Sequence, residues 1–524
     1  MFNYAKQLEC NQREPLPGQV QNSAGGFSFP VDDWTRLDRF LILGSEGGSY
    51  YATPRALTRE NAAAVERCLT IDGVRVVNRI IEISDVGRAP KNDPALFALA
   101  LAAKTGNPDT RAAALTALPK VARIGTHLFH FAEAVKALGG WGRGTKRAFA
   151  DWYRKMPDGR LVLQAIKYQQ RDGWSHRDLL RKSHPIPLSD RQRVIFQWIT
   201  RGWEEVGDSP HPDEFLARIW AFERAKTCSR KELVRFITDY GLPHECVPNE
   251  SKDDPDVWTA MLPQMGLTAL VRNLGKMTSI ELIAPMSRAA KLVCERLEDV
   301  DEIRKARLHP LQILVALRTY LQGHGGKGSL AWRPERRVSD ALDAAFYLAF
   351  KAIEPTGKRY LLGIDVSGSM NSHLSGLPIS AREGACAMAM ITAATEAEHH
   401  FFGFSAKFVP LLISPRQRLD DVCDYTRPLP FSRTDCALPM LYAIQHKIPV
   451  DVFCVYTDSE TWFGNVHPTQ ALRAYRQKMG IPAKLVVCGM ISNGFTIADP
   501  NDAGQMDVVG FDTVTPSVIS DFAR

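Results

Sequence analysis

The feature that most constrains this chain is a change of hydrophobic period near residue 355. From Asp93 to Ile353, apolar residues recur at three- and four-residue steps in DPALFALALAAKTG, THLFHFAEAVKALGG, TKRAFADWYRKM, RQRVIFQWITRGWEEV and HPLQILVALRTYL. That spacing lines one face of a helix. Joints rich in Gly, Pro and Asp, such as GNPDT, MPDG and GDSPHPDE, separate these segments,. From Gly357 the runs RYLLGIDVS, HHFFGFS, VDVFCVYTD and AKLVVCGM are apolar over strand length. They alternate with the helix-like ISAREGACAMAMITAATEAE, TDCALPMLYAIQHK and HPTQALRAYRQKM. Strands that are apolar throughout, with helices between them, describe a parallel sheet covered on both faces, the doubly wound α/β arrangement.

The helical part, about 260 residues long, accommodates six or so helical pairs of the HEAT type at ~40 residues each. The expected organisation is a mixed segment over 1–90, with GSEGGSYYATP as a turn between short strands, helices over 91–355 and the α/β domain over 356–524. A chain of 524 residues predicts two or three domains,. The opening MFNYAKQLECNQREPLPGQ has no apolar core of a signal peptide, and no stretch approaches the ~20 apolar residues of a membrane span,. Ten scattered cysteines without a CxxC suggest buried thiols in a reducing compartment,. The expected location is therefore the cytoplasm.

Charge is unevenly placed. The net charge is +7, yet residues 356–524 carry 14 Lys and Arg against 16 Asp and Glu, which leaves 51 against 42 in the first 355. A basic helical part attracts polyanions by counterion release, so nucleic acid is the first partner to consider, alongside a merely soluble basic surface.

Two constellations carry chemistry. The strand RYLLGIDVS ends in Asp365, Ser367 and Ser369, whose oxygens at every second residue converge as the strand turns over. Thr434 in SRTDCALPM is expected to start a helix, and Asp458 ends the strand VDVFCVYTD at the same sheet edge. In doubly wound sheets ligands bind beyond the carboxyl ends of the strands. Hard oxygen donors from three loops suit Mg²⁺ or another divalent cation, while capping of strand ends and helix starts is the metal-free alternative. No His, Lys or paired carboxylate stands ready as a general base, which argues against an enzyme.

The second constellation is KYQQRDGWSHRDLLRKSH, Lys167 to His184. The helix LVLQAIKYQQR is expected to end at Asp172-Gly173, so that Lys167 and Arg171 share a face one turn apart. Ser175 and Asp178 form a capping box for the next helix, which carries Arg177 and Arg181 at the same spacing. Arg181, Lys182 and His184 gather at its end, with Tyr168 and Trp174 nearby. Such a corner suits phosphates and stacked bases, and equally a solvated face with cations near a helix C-terminus.

Seven segments resemble the Ro autoantigen family in order: RFLILGSEGGSYY, RIGTHLFHF, KYQQRDGWSHRDLLRKSHP, HPLQILVALRTYLQGHG, EPTGKRYLLGIDVSGSM, TDCALPM and GFTIADP. The resemblance implies a TROVE module, a ring of HEAT-like helices, closed by a von Willebrand factor A domain. It implies that Asp365, Ser367, Ser369, Thr434 and Asp458 are metal ligands, some through water. It also implies Y RNA contacts at Lys167, Arg171 and His184, with Arg177 and Arg181 beside them. Expected partners are Y RNA, 3′ single-stranded ends of misfolded noncoding RNA, and a 3′ exonuclease such as polynucleotide phosphorylase. A monomer is expected, and no membrane partner. Two positions depart from the family: Ser432-Arg433 replaces a pair of glycines before Thr434, and Gln169 stands where a cation is usual.

Overall fold

The computed structural model describes residues 20–21, 27–28, 32–45, 49–51, 57–86, 89, 91–203, 210–325, 329–374, 377–404, 408–428, 435–457, 466–490, 498–499, 501–511 and 513–524. Near the start, helix α1 (Asp33–Leu43) begins where Asp32 accepts from the Thr35 backbone N–H, and stops at Gly44, whose φ of 75° an L side chain disfavours,. Strand β1 (Ser49–Tyr51) follows. A helix, not a strand, thus enters the GSEGG connection. Leu37, Phe40 and Leu41, at helical spacing, are fully buried and explain why,.

Residues 57–293 form one compact unit. It runs through α2 (Ala63–Val86), α3 (Asp93–Thr105), α4 (Pro108–Val121), α5 (Gly125–Ala137), α6 (Arg143–Lys155) and α7 (Asp158–Lys167). A two-stranded hairpin follows, β2 (Gln170–Arg171) with β3 (Trp174–Ser175), and then α8 (His176–Ser183). Helices Asp190–Arg201, Glu214–Ala225, Arg230–Tyr240, Pro255–Met261 and Leu267–Ser279 continue the array. Near neighbours in sequence pack together: α3 against α2, α4 and α5, and α6 against α4 and α8. Helix α3 is buried from Pro94 to Ala103, which accounts for a segment apolar all round rather than on one stripe. The helical reading of this region holds, apart from the small hairpin.

Residues 1–56 and 294–524 form the second compact unit. Its seven-stranded sheet comprises β1, β4 (Tyr360–Asp365), β5 (His399–Phe404), β6 (Phe408–Pro410), β7 (Val452–Thr457), β8 (Lys484–Gly489) and β9 (Gln505–Val509). They lie in the order β1-β9-β8-β7-β4-β5-β6. All neighbours are parallel except β5 and β6. The doubly wound expectation therefore holds, with one antiparallel edge. Its helices include α9 (Pro310–Leu321), α10 (Arg336–Leu348), α11 (Ala381–Thr395), α12 (Leu419–Thr426), α13 (Leu438–His446), α14 (Pro468–Met479) and α15 (Thr515–Ala523). Leu361, Phe453, Val455 and Leu485 pack with Met440 of α13 and Leu472 of α14. The alternate residues Leu362, Cys454 and Tyr456 share a small cavity with Met388 of α11 and Ile519 of α15. Both sheet faces are thus covered, and both alternating sets of side chains must be apolar.

This unit recruits chain from outside the α/β stretch. β1 pairs with β9 at Ser49, Tyr50 and Tyr51, while Arg36 donates to Asn501 Oδ1 (3.1 Å) and Arg39 to the Asp502 carbonyl (2.7 Å). Arg318 of α9 bridges Glu383 (2.6 Å) and Asp420 (2.7 Å), Arg418 pairs with Asp343 of α10, and Leu419 N–H donates to Tyr347 Oη. Hydrophobic period reports local structure but not which core a helix joins. The packing units accordingly divide the chain at places other than the change of period.

Candidate nucleic-acid interface and candidate metal centre

Helix α7 ends at Lys167, earlier than the spacing predicts. Tyr168 already has φ −113° and ψ 70°, and Gln170 and Arg171 pair with Ser175 and Trp174. Lys167 and Arg171 therefore do not share a helix face. One closes the helix, and the other precedes the hairpin turn. The turn is Asp172-Gly173, with φ of 51° and 74°, the pair of positive values that suits a two-residue hairpin. The glycine is left-handed as expected but serves a hairpin, not a helix stop.

Helix α8 forms as the sequence predicts. Ser175 and Asp178 make the reciprocal capping box, and Arg181 and Lys182 occupy its last turn. His184 caps it in a left-handed conformation. Arg171, Arg177, Arg181, Lys182 and His184 are exposed, and Lys167 is half-buried. Lys167 lies 3.7 Å from Glu245 and above the Tyr168 ring, Arg171 Nε is 3.7 Å from Asp172, and Arg181 donates to the Thr200 carbonyl (3.0 Å). These ion pairs are long and solvent-facing, so they hold the cations weakly.

Of the planar side chains, Tyr168 and His184 reach the surface, whereas Trp174 is only 7% exposed. Its indole stacks on Trp141, which stacks on Phe149, and its N–H donates to Glu133 (2.8 Å). Trp174 is therefore a core residue rather than a stacking surface for bases. Lys182 sits over both Trp141 and Trp174, and Lys136 over Trp174. These rings fix where two further ammonium groups stand. Beneath the hairpin, His176 is buried, contacts Tyr153 Oη (2.8 Å) and has its pKa pushed down to about 4 by burial.

At the carboxyl end of the central strand β4, Asp365 is fully buried. Oδ1 accepts from Ser367 N–H (2.8 Å), Oδ2 accepts from Thr457 Oγ1 (2.9 Å), and the Ser367 and Ser369 hydroxyls are 3.0 Å apart. The structure thus brings Asp365, Ser367 and Ser369 together, at the sheet edge where β7 also ends. Thr434 and Asp458 lie outside the described residues. The three oxygen donors in place fit a hard cation, the donor type for Mg²⁺.

A residue that sequence reasoning missed supports this loop. Arg382, buried near the start of α11, donates to Asn371 Oδ1 (3.0 Å) and to the carbonyls of Thr426 (3.0 Å), Val366 (3.3 Å) and Ser367 (2.9 Å). Its signal was present: a lone cation, next to Glu383, at the head of a helix that carries no further charge to its end.

The chain resembles known proteins along nearly its whole length. The TROVE domain model matches residues 20–209 and 242–319, and the Ro60 vWA domain model matches 359–523. A Deinococcus radiodurans protein named RNA-binding protein RO60 is 41% identical, over 97% of this chain and 95% of its own. A Caenorhabditis elegans protein of the same name is 36% identical, over 99% and 92%. The crystal structure of the Deinococcus radiodurans RO (RSR) protein superposes with a TM-score of 0.88 at 40% identity, covering 94% of this chain and 99% of that one.

Proposed function

Because the chain belongs to the Ro60 family, we propose that it is an RNA-binding protein whose segment Lys167–His184 holds a structured small noncoding RNA of the Y RNA class. The observation that carries this reading is the exposure of Arg171, Arg177, Arg181 and His184 on one continuous helix–hairpin–helix segment. Their partners within the protein are few, long or backbone. Backbone phosphates would engage these cations and release counterions, so recognition follows RNA shape more than sequence. Free 3′ ends of misfolded RNA are the second ligand class. The cellular setting is RNA quality control in the cytoplasm beside a 3′ exonuclease such as polynucleotide phosphorylase. RNA crosslinked to the purified protein and sequenced should be enriched in small structured transcripts and in 3′ tails. Recovery of bulk RNA in proportion to its abundance would contradict this.

The cluster at Asp365, Ser367 and Ser369 supports a second role on the α/β domain, divalent-cation binding with Thr434 and Asp458 completing the donor set. Two carboxylates would balance a divalent charge, and a partner protein's acidic group would fill an open position. Arg433 adjoins Thr434 in the sequence, and its positive charge would alter cation occupancy or the preferred anion. The protein acts by binding and not by catalysis. Structured RNA incubated with it and Mg²⁺ should stay intact, and cleavage that disappears in Asp458→Ala would overturn that.

A further inference from the structure

The hairpin that carries Arg171 has an acidic residue at its tip, an odd choice beside a phosphate-binding guanidinium. The turn needs positive φ at residue 172, which Asn provides as well as Asp,. The backbone therefore does not explain the negative charge, but a contact outside the hairpin does. His130, in the middle of α5, places Nδ1 2.6 Å from Asp172 Oδ2, and its Nε2 faces Asp93 Oδ1 at 3.7 Å. The other Asp172 oxygen, Oδ1, lies 3.7 Å from Arg171 Nε. One carboxylate is thus shared between an imidazole at hydrogen-bond distance and a guanidinium held loosely. The Arg171 side chain remains 62% exposed.

We infer that His130 is a positioning residue of the RNA-binding segment, engaging the Asp172 carboxylate so that Arg171 stays available to an RNA phosphate. This rests on the proposal that Arg171 contacts RNA. Without His130, Asp172 would turn to Arg171 and would also oppose any phosphate approaching the hairpin tip. The contact additionally ties the tip to α5, one of the helices against which the hairpin packs. The two roles separate by experiment, because only the charge role is relieved by removing the carboxylate.

The test is a double-mutant cycle on the full-length protein, read as the dissociation constant for a structured Y RNA-like transcript at fixed salt. His130→Leu should weaken binding roughly three- to tenfold, within the lower part of the range for coupled neighbours. Asp172→Asn keeps the turn and should bind at least as tightly as the parent. Adding Asp172→Asn to His130→Leu should restore parental affinity. A double variant as weak as His130→Leu alone, or weaker binding by Asp172→Asn itself, overturns the inference. The second result does so even where His130→Leu fails to fold. Arg171→Ala is the control. If it weakens binding while the cycle shows no coupling, the inference fails alone; if it leaves binding unchanged, the RNA-contact reading fails with it.

Discussion

Arg382 holds three backbone carbonyls and an amide oxygen around the Asp365–Asn371 loop. Replacing it with methionine keeps most of the volume but removes the guanidinium donors from those acceptors, leaving the Ser367 carbonyl only the Met370 N–H. We expect a loss of roughly 2–4 kcal/mol, read as a lowered denaturant midpoint, together with weaker Mg²⁺ binding by calorimetry. An unchanged midpoint would mean that the loop stands without the arginine. Asp365→Ala should likewise abolish Mg²⁺ binding while RNA affinity stays at the parental level, since that carboxylate lies in the α/β unit and the cations in the helical one. At this scale the sequence was informative wherever chemistry is local. The DxSxS run announces three donors, and Ser175 with Asp178 announces a cap. It was silent wherever a side chain's role depends on distant partners. Trp174 reads as an exposed ring until Trp141, Phe149 and Glu133 are known to enclose it, and Asp172 reads as part of a stop signal until His130 is known to reach it.

The segment α7–hairpin–α8 is the element on which the RNA reading depends, and its shape is set by a cap and a turn. Ser175→Ala removes one side of the capping box and should cost about 1 kcal/mol. Gly173, at φ 74°, sits where an L residue is strained, so Gly173→Ala should also cost about 1 kcal/mol,. Both are measured as lowered thermal midpoints, and a neutral result for either would mean that the hairpin is fixed from elsewhere. The early end of α7 was not legible because Tyr168-Gln169-Gln170-Arg171 contains neither Gly nor Pro. Helix propensity alone would carry the helix on to Arg171. What ends it is tertiary: packing of the hairpin against α5 and pairing of Gln170–Arg171 with Trp174–Ser175. Four strands of the α/β domain, β4, β5, β7 and β8, were legible because burial on both faces leaves an unbroken apolar run, whereas Gln505 and Asp507 interrupt that run in β9,. The antiparallel edge β6 and the distant β1 carry no such mark.

At the scale of the whole molecule, burial disfavours the charged form of several histidines among the described residues, most strongly His127, His176 and His309, each pushed down to about 4. An unfolded chain protonates them near 6.5, so below that value it binds protons that the folded chain refuses. Stability is therefore full above pH 6.5 and falls as pH drops toward 4, by of order 1–3 kcal/mol for the fully buried His176 and by less for the half-buried His127 and His309,. Asp435, pushed up to about 6, works in the opposite sense, but Asp213, Asp451 and Asp502, held below the usual carboxylate range, act with the histidines,. Thermal midpoints should decline from pH 7 to pH 4.5, and a rise on acidification would contradict the assignment. The central claim, that exposed cations of the helical unit bind RNA through its phosphates, is tested most directly by salt titration. Dissociation constants for a structured transcript with a 3′ tail would be measured from ~50 to 200 mM salt, for the parent and for Lys167→Ala with Arg171→Ala. The account predicts steep weakening with salt for the parent. The double variant should be weaker at every salt, with a log–log slope shallower by about 0.9 for each lost phosphate contact. Equal affinities and equal slopes in the two proteins would contradict it.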